Sequence, residues 1–456
     1  TLTIIGGSMS LDLSALRAQL QSDNIDILRL VYADVLGIPR SKDLVVSQME
    51  KAAAHGPAFC QGVWVTNTRG GVLDGHGSIS DGLSDFVSRI DPSTIRKLPW
   101  EPGVAYAIVD AFEPNGDDNP VAPRTALQRV LKEYEKIGLT PVIGPELEFY
   151  LAKQENNVWV RALHRTGRVY TTGAIVDPDG TFLHMMRMLD QMAIGVFAGN
   201  HEFAPAQYEI NLWHGEALES TDRTFLFKTA IKDIAVRRGY NATFLGKPWA
   251  ESEGSGFHLH FSVVDAKGKN QMHNGEELSE VANQMIAGIL SHANALTAFT
   301  NPTINAFKRL GPDTLAPSRA NWGYDNRATL LRVPPERGEG TRLEIRIGDG
   351  AANPYLMVAS VLAAGLDGIK QKMKPNKAAE GWAYEDEADP LLPVTFTAAL
   401  DALEADPLFA DLMGPTVIST HLTLKRDEIE RYEAEVPDPS TREITAWELD
   451  EYIWDY

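Results

Sequence analysis

Four segments of this chain place carboxylates, histidines or arginines at every second position. In Gly340-Thr341-Arg342-Leu343-Glu344-Ile345-Arg346-Ile347, Arg342, Glu344 and Arg346 alternate with Leu343, Ile345 and Ile347. A strand sends alternate side chains to opposite faces, so the charged residues would share one side and the aliphatic ones the other. The design recurs in Glu146-Leu147-Glu148-Phe149, in Gln207-Tyr208-Glu209-Ile210-Asn211-Leu212 with Glu202 upstream, and in Phe257-His258-Leu259-His260-Phe261-Ser262. One such strand is an ordinary solvated edge; the repetition points to a shared site. Gathered together, the polar faces supply Glu146, Glu148, Glu202, Glu209, Glu344 and His258. Clustered carboxylates repel one another and raise their own pKa values unless cations sit among them. An oxygen-rich set with one imidazole suits two Mg²⁺ or Mn²⁺ ions better than zinc. Arginine grips carboxylates and phosphates, and Arg309, Arg327 and Arg332 lie in two further basic segments. Divalent ions beside arginines are the parts of a phosphoryl-transfer site. Taken singly, His201 and His260 read as structural.

The 456 residues are 44% hydrophobic and 23% charged, a globular composition long enough for two domains. A formal net charge of -20 disfavours nucleic acid and membranes as partners, although a local arginine cluster can still hold a small anion. Cys60 is the only cysteine, so no disulfide forms within the chain and a reducing, cytoplasmic location is expected. The sequence has no apolar run of about 18 residues and no signal-peptide pattern. It also lacks the P-loop lysine motif and the kinase signature set, which sets aside standard ATPases and protein kinases.

The elements that would carry these residues follow from periodicity. Leu11 to Gln21 suits a short helix, and Asn24 to Ala33 a strand. Asp34-Val35-Leu36-Gly37 reads as a hairpin turn and Ile38 to Val46 as the return strand. A helix is expected over Ser47 to His55 and a strand at Gly62 to Val65. Pro99 and Pro102-Gly103 punctuate the chain, so a small first domain is drawn at 9–103 and a larger one at 104–456. Residues before Met9 are expected to be an added segment. In the larger domain, Pro123 opens a helix stopped at Gly138, and Val142 to Leu151 is a strand. Helices are expected over Phe182–Phe197, from an Asp222 cap to Arg238, over Glu276–Ala298, after an Asn353 cap, over Phe396–Leu403 and over Arg426–Ala434. Strands alternating with helices predict an α+β sheet backed by helices.

In order along the chain, the motifs resemble the glutamine synthetase family. They are Asp34-x-x-Gly37, Glu146-x-Glu148, Glu202 through Gln207-x-Glu209, and Gly254-Ser-Gly-Phe-His258-x-His260. Asn301-Pro-Thr through Lys308-Arg-Leu, Asn326-Arg327 through Arg332-x-Pro, and Arg342-x-Glu344-x-Arg346 before Ala351-Ala-Asn-Pro-Tyr-Leu356 complete the set. The resemblance implies a small N-terminal β-grasp domain and a large catalytic domain with a curved antiparallel sheet. It also implies a homo-oligomer, commonly a dodecamer of two hexameric rings with active sites shared between neighbours. By position, Glu148, Glu202 and Glu209 would ligate one metal, and Glu146, His258 and Glu344 the other. Arg309, Arg346 and the Gly254 loop would hold glutamate, with Arg346 and Arg327 also serving the chemistry. Arg327, Arg332 and Arg342 would contact phosphate, and His260 and Ser262 would face the nucleotide, ATP. Asp34 would receive the amine and help to deprotonate it. The implied reaction forms a γ-glutamyl phosphate from ATP and glutamate, and an amine then displaces phosphate.

The departures bear on which amine. Leu315 stands where glutamine-forming members carry a glutamate just before Ala-Pro. A leucine cannot attract ammonium; it can contact an apolar group, at about 0.8 kcal/mol per buried methylene. The family's acidic Asp-Gly-Ser-Ser segment is replaced by Phe59-Cys60-Gln61-Gly62-Val63-Trp64, Glu253 stands in place of a usual Asn, and Tyr384-Glu385-Asp386 replaces the adenylylation motif. The expectation is a glutamate–amine ligase acting on an alkylamine, arylamine or polyamine, in amine catabolism. The alternatives are an ordinary glutamine synthetase in which Asp313 does the acidic work, and a non-catalytic scaffold or sensor. The complete ligand set argues against the last.

Overall fold

A computed structural model describes every residue except 1–2, 6–7, 165–167, 312–313 and 385–386. Asp313, Glu385, Asp386 and part of the segment before Met9 therefore lie outside the described residues.

The first unit is a six-stranded sheet. Strand β1 (Ile27–Ala33) turns back into β2 (Pro39–Val45) as an antiparallel hairpin. Asp34 builds that turn: its Oδ1 accepts from the Ile38 N–H at 2.9 Å, and Gly37 takes φ +86°. Strands β3 (Ala58–Cys60), β4 (Asp85–Ile90) and β5 (Val104–Phe112) follow, in the spatial order β2-β1-β5-β4-β3. Strand β5 pairs parallel with β1 and antiparallel with β4. A division at 103 would remove this central strand from its own sheet, so the first unit extends through Phe112. The stretch expected as a strand at Gly62–Val65 is a 3-10 turn over Gln61–Val65. There the Thr66 hydroxyl donates to the Gly62 carbonyl at 2.7 Å, and Trp64 and Val65 are buried. Only Met49–Ala52 of the expected Ser47–His55 helix is α-helical.

Helix α1 (Pro123–Glu135) leads into the large sheet, and Gly138 ends the turn at φ +73°. The sheet's long strand, β6 (Leu139–Glu155), is joined by β7 (Val196–His201), β8 (Gln207–Leu212), β9 (Phe257–Asp265), β10 (Trp322–Tyr324), β11 (Leu331–Val333) and β12 (Leu343–Ile345). The order is β7-β8-β6-β9-β12-β11-β10, with three short strands also on β6. All pairs in that path are antiparallel except β10 with β11. Helices α2 (Ala217–Arg237), α3 (Glu280–Ser291), α4 (Ala293–Thr300) and α5 (Pro354–Gln371) back the sheet. Alternating residues such as Leu147, Phe149, Tyr208, Ile210, Leu259, Phe261, Leu343 and Ile345 are buried in the core. The α+β architecture with a curled, helix-backed sheet is the one expected.

Several boundaries differ for physical reasons. The helix expected over Phe182–Phe197 spans Thr181–Gln191, because Ala193 (φ +58°) and Gly195 (φ +82°) turn the chain into β7. Asp222 does not cap α2; it sits inside the helix, buried, and accepts from Arg124 at 2.7 and 2.9 Å and from the Tyr355 hydroxyl at 2.7 Å. The single helix expected over Glu276–Ala298 is two, α3 and α4, divided at His292. Asn353 caps α5 as expected, accepting from the Tyr355 N–H at 3.0 Å. The last expected helix begins earlier, at Pro415, and runs to Glu435.

Candidate active site

Cross-strand register assembles the polar face. Glu209 lies opposite Glu148 and Asn211 opposite Glu146. On the other side of β6, His258 lies opposite Glu146; His260 in turn faces Glu344, which faces Arg332. Directly opposed residues have Cα atoms about 4.5–5.5 Å apart, so four neighbouring strands bring these side chains within reach of one another. Glu202 comes from the β7–β8 loop. The Glu202 N–H donates to the Gln207 carbonyl at 2.9 Å, its Oε1 accepts from Asn200 at 2.8 Å, and buried Ala206 closes the loop at φ +61°. Such a conformation costs a non-glycine residue about 1–3 kcal/mol and persists only where its surroundings enforce it.

Two groups of donor atoms lie within 4.8 Å of one another: Glu146, Glu209 and His258, and Glu146, His260 and Glu344. Glu146 is common to both groups; His258 lies in the first, and His260 with Glu344 in the second. Arg342 Nε donates to His260 Nδ1 at 3.1 Å, which leaves Nε2 protonated and donating to Glu146 Oε1 at 3.1 Å; both nitrogens of His260 are thus engaged within the cluster.

The electrostatics divide the carboxylates. Burial and Glu202 raise the Glu148 carboxyl, while burial and Glu209 raise that of Glu202. Burial, with Glu148 and Glu146 nearby, pushes Glu209 up to about 8. Burial would raise Glu344 as well, but Arg346, His260, His258 and Arg332 outweigh it and hold the group far below the usual range. The same competition, won by His260 and His258, lowers Glu146. Burial and Arg346 press His258 down to about 3, so its imidazole is neutral and available as a ligand. Crowded carboxylates of raised pKa beside a neutral imidazole form a donor set that fits hard divalent cations.

The arginines sit around this cluster. Arg332 donates to Glu344 at 2.6 Å, and Arg346 donates to Glu344 and, at 3.1 Å, to the Arg327 carbonyl. Arg327 is exposed and helps to lower Glu209. Arg309 is buried and donates to the Ile347 carbonyl at 3.0 Å. The Gly254 loop runs alongside, because Gln207 Nε2 bridges Gly254 O at 3.0 Å and Glu148 Oε2 at 3.2 Å. At Gly256 a Cβ would stand 2.9 Å from His258 Nε2, 3.2 Å from Arg309 Nη2 and 3.3 Å from Glu148 Oε1. That position borders directly on the site.

Beside the cluster is a cavity of about 280 Å³ lined by Glu146, His260, Ser262 and Arg342. Phe197 and Trp213 stack at its rim with ring centroids 4.3 Å apart. Sequence reasoning missed this pair because Phe197 was assigned to a helix end. Gln207 and Asn211 were legible in the alternating row but were not taken as site residues.

Two expected residues are not brought into the cluster. Asp34 is buried in the first unit; its Oδ2 accepts from Arg40 at 2.7 Å, and its carbonyl accepts from Asn353 at 2.9 Å. Burial raises its carboxyl against the pull of Arg40. Leu315 is 38% exposed, with φ +59°, on a loop whose preceding residues 312–313 are not described.

An antiparallel sheet face carrying carboxylates, imidazoles and arginines beside a cavity offers donors suited to divalent cations and to anions. A family model described as the catalytic domain of glutamine synthetase matches residues 120–452. The glutamine synthetases of Pyrococcus horikoshii and Halobacterium salinarum are 35% and 34% identical to the chain. Each match covers 95% of this chain, and 97% and 95% of the relative respectively. Among solved structures, a GmaS/ADP complex superposes with TM-score 0.83 at 30% identity, covering 95% of this chain and 98% of its own. A structure described as a novel glutamine synthase homolog gives TM-score 0.81 at 23% identity over 94% and 99%, a likeness of fold. The chain belongs to the glutamine synthetase family of ligases, whose members use ATP and divalent metals. Among the described residues, no helix is long and apolar enough to cross a membrane.

Proposed function

We propose that the protein is a glutamate–amine ligase, joining the γ-carboxylate of glutamate to an organic amine at the expense of ATP. The observation that carries this reading is Leu315, an exposed leucine where the family resemblance implies a glutamate in glutamine-forming members. The curated relatives, named glutamine synthetases at about a third identity, favour ammonia as the second reading.

Glu148, Glu202 and Glu209 with Glu146, His258 and Glu344 would hold two Mg²⁺ or Mn²⁺ ions. Bound there, the ions would neutralise phosphate charge as Lewis acids. Arg309 and Arg346 hold the carboxylates of glutamate, and Gly254 leaves room for its backbone. Arg327, Arg332 and Arg342 take up charge on the transferring phosphoryl group, while His260 and Ser262 face the nucleotide in the cavity. In the first step a γ-carboxylate oxygen bonds to the γ-phosphorus and the bond to ADP breaks. In the second, the amine nitrogen bonds to the γ-carbonyl carbon and phosphate leaves. The amine must shed a proton to react, and Asp34 takes it. The chain's own Asp34 lies in the first unit, away from the cluster, with its carboxylate on Arg40; on this reading it serves a neighbour's site in a ring oligomer, as the family resemblance implies.

The test is ADP release by the purified protein with ATP, Mg²⁺ and glutamate, comparing ammonia with alkylamines, aniline, ethanolamine and putrescine. Turnover on an organic amine well above that on ammonia supports the reading. Ammonia as the best substrate assigns a glutamine synthetase, and no turnover on any amine points to a non-catalytic role.

A further inference from the structure

The three inner arginines of the site behave differently. Arg332 and Arg346 both rest on Glu344. Arg309, buried like Arg346, makes no ion pair with a cluster carboxylate among the described residues; its donor contact is to the Ile347 carbonyl. A buried guanidinium close to Glu148 and without another counter-charge would be drawn onto that carboxylate, blocking a ligand position and leaving the substrate side empty. Something else must compensate it.

Asp349 meets that need. It is wholly buried, in the segment Gly348-Asp349-Gly350 that lies along the Gly254 loop. The Phe257 N–H donates to the Gly348 carbonyl at 2.8 Å, and the Gly350 N–H donates to the Ser255 carbonyl at 3.2 Å. Asp349 Oδ1 accepts from the Ala351 N–H at 2.8 Å, and its backbone N–H donates to the Thr300 carbonyl at 2.8 Å. Oδ2 is buried and has no hydrogen-bond partner. It points at Gly246, where a Cβ would come within 1.6 Å of it. Gly246 in turn touches the substrate loop, since its carbonyl accepts from the Ser255 N–H at 2.8 Å and lies 2.8 Å from a Cβ built on Gly254. That same Cβ would stand 2.6 Å from Arg309 Cγ. Among the charges acting on Arg309, Asp349 attracts it most and Glu148 next. Lys228, a buried amine that burial lowers to about 7, donates to the Gly350 and Ala352 carbonyls at 2.7 and 3.1 Å behind the same segment.

We propose that Asp349 is a positioning residue: its buried carboxylate is the standing counter-charge that holds Arg309 off Glu148 and fixes the Gly254 loop for glutamate. It touches neither substrate nor metal. The inference rests on Arg309 being a glutamate-binding residue.

Asp349→Asn keeps the Ala351 contact and removes the charge. The expected result is a KM for glutamate raised at least about tenfold with the KM for ATP changed less than about twofold. Thermal shifts add a fold check: ADP with Mg²⁺ should still stabilise the variant, and glutamate added with them should no longer do so. If the asparagine variant does not accumulate, Asp349→Ser is read in the same two assays. Loss of both responses would show a general structural role and overturn the proposal, as would retention of both. A wild-type protein that is itself indifferent to glutamate would instead sink the reading of Arg309, separately from the role of Asp349.

Discussion

A leucine at φ +59° is held in a conformation that costs about 1–3 kcal/mol, and such strain persists where a loop must present a side chain in one direction. In the proposed ligase, the side chain presented at Leu315 bears on which amine is accepted. Leu315→Glu is expected to restore an ammonium-attracting group and raise the ratio of kcat/KM for ammonia over the best organic amine by at least about tenfold, measured by ADP release. An unchanged ratio would remove Leu315 from amine selection. Residue identities of this kind were legible in the sequence because the family motifs fix their positions. How donors group was not. The place of His260 between Glu146 and Glu344 depends on Arg342, whose Nε donates to the imidazole across 82 residues of chain. Asp349 was likewise invisible, since a lone aspartate among glycines carries no periodic signal.

At the scale of elements, strand register does the assembling, and the loops between strands must not intrude. Gly256→Ala is expected to displace His258 and Glu148 and to lower activity at least about 100-fold while far-ultraviolet circular dichroism stays unchanged. Retained activity would mean the neighbours can yield by the needed ångström. Behind the sheet, the α3–α4 break is fixed by His292, whose Nδ1 faces Asp406 at 2.6 Å and Nε2 faces Asp367 at 3.1 Å. Burial alone would lower this histidine, but the two aspartates outweigh it and raise its pKa. A raised folded value means that the stabilisation is complete below the unfolded value of about 6.5 and is lost as pH rises through the folded one. His292→Asn is therefore expected to lose more thermal stability at about pH 6 than at about pH 9; equal losses would show that the charge is unimportant. The break itself could not be read from the sequence, because its partners are distant in the chain: Asp367 within α5 and Asp406, the N-cap residue of the helix Pro407–Met413. The strand alternation of the four site segments, by contrast, was local, and it predicted the sheet.

For the whole molecule, the two sheets share one continuous core, and the chain length spans the family's catalytic unit with the smaller sheet before it. The Pro102-Gly103 punctuation marks a turn, and β5 beyond it joins the smaller sheet through a parallel pairing to a strand 77 residues upstream. Asp34 sits in that smaller sheet with its carboxylate turned to its own Arg40. If sites are shared between neighbours, Asp34→Ala and Glu344→Gln subunits, each inactive alone, should regain up to about a quarter of wild-type activity when co-assembled in equal amounts. No recovery would place each site within one chain. The central claim, glutamate ligated to an organic amine, is tested most directly by product identity. With ATP, Mg²⁺, glutamate and equal concentrations of ammonia and a short alkylamine, mass spectrometry should find the γ-glutamylalkylamide as the main product; glutamine as the main product would contradict the account.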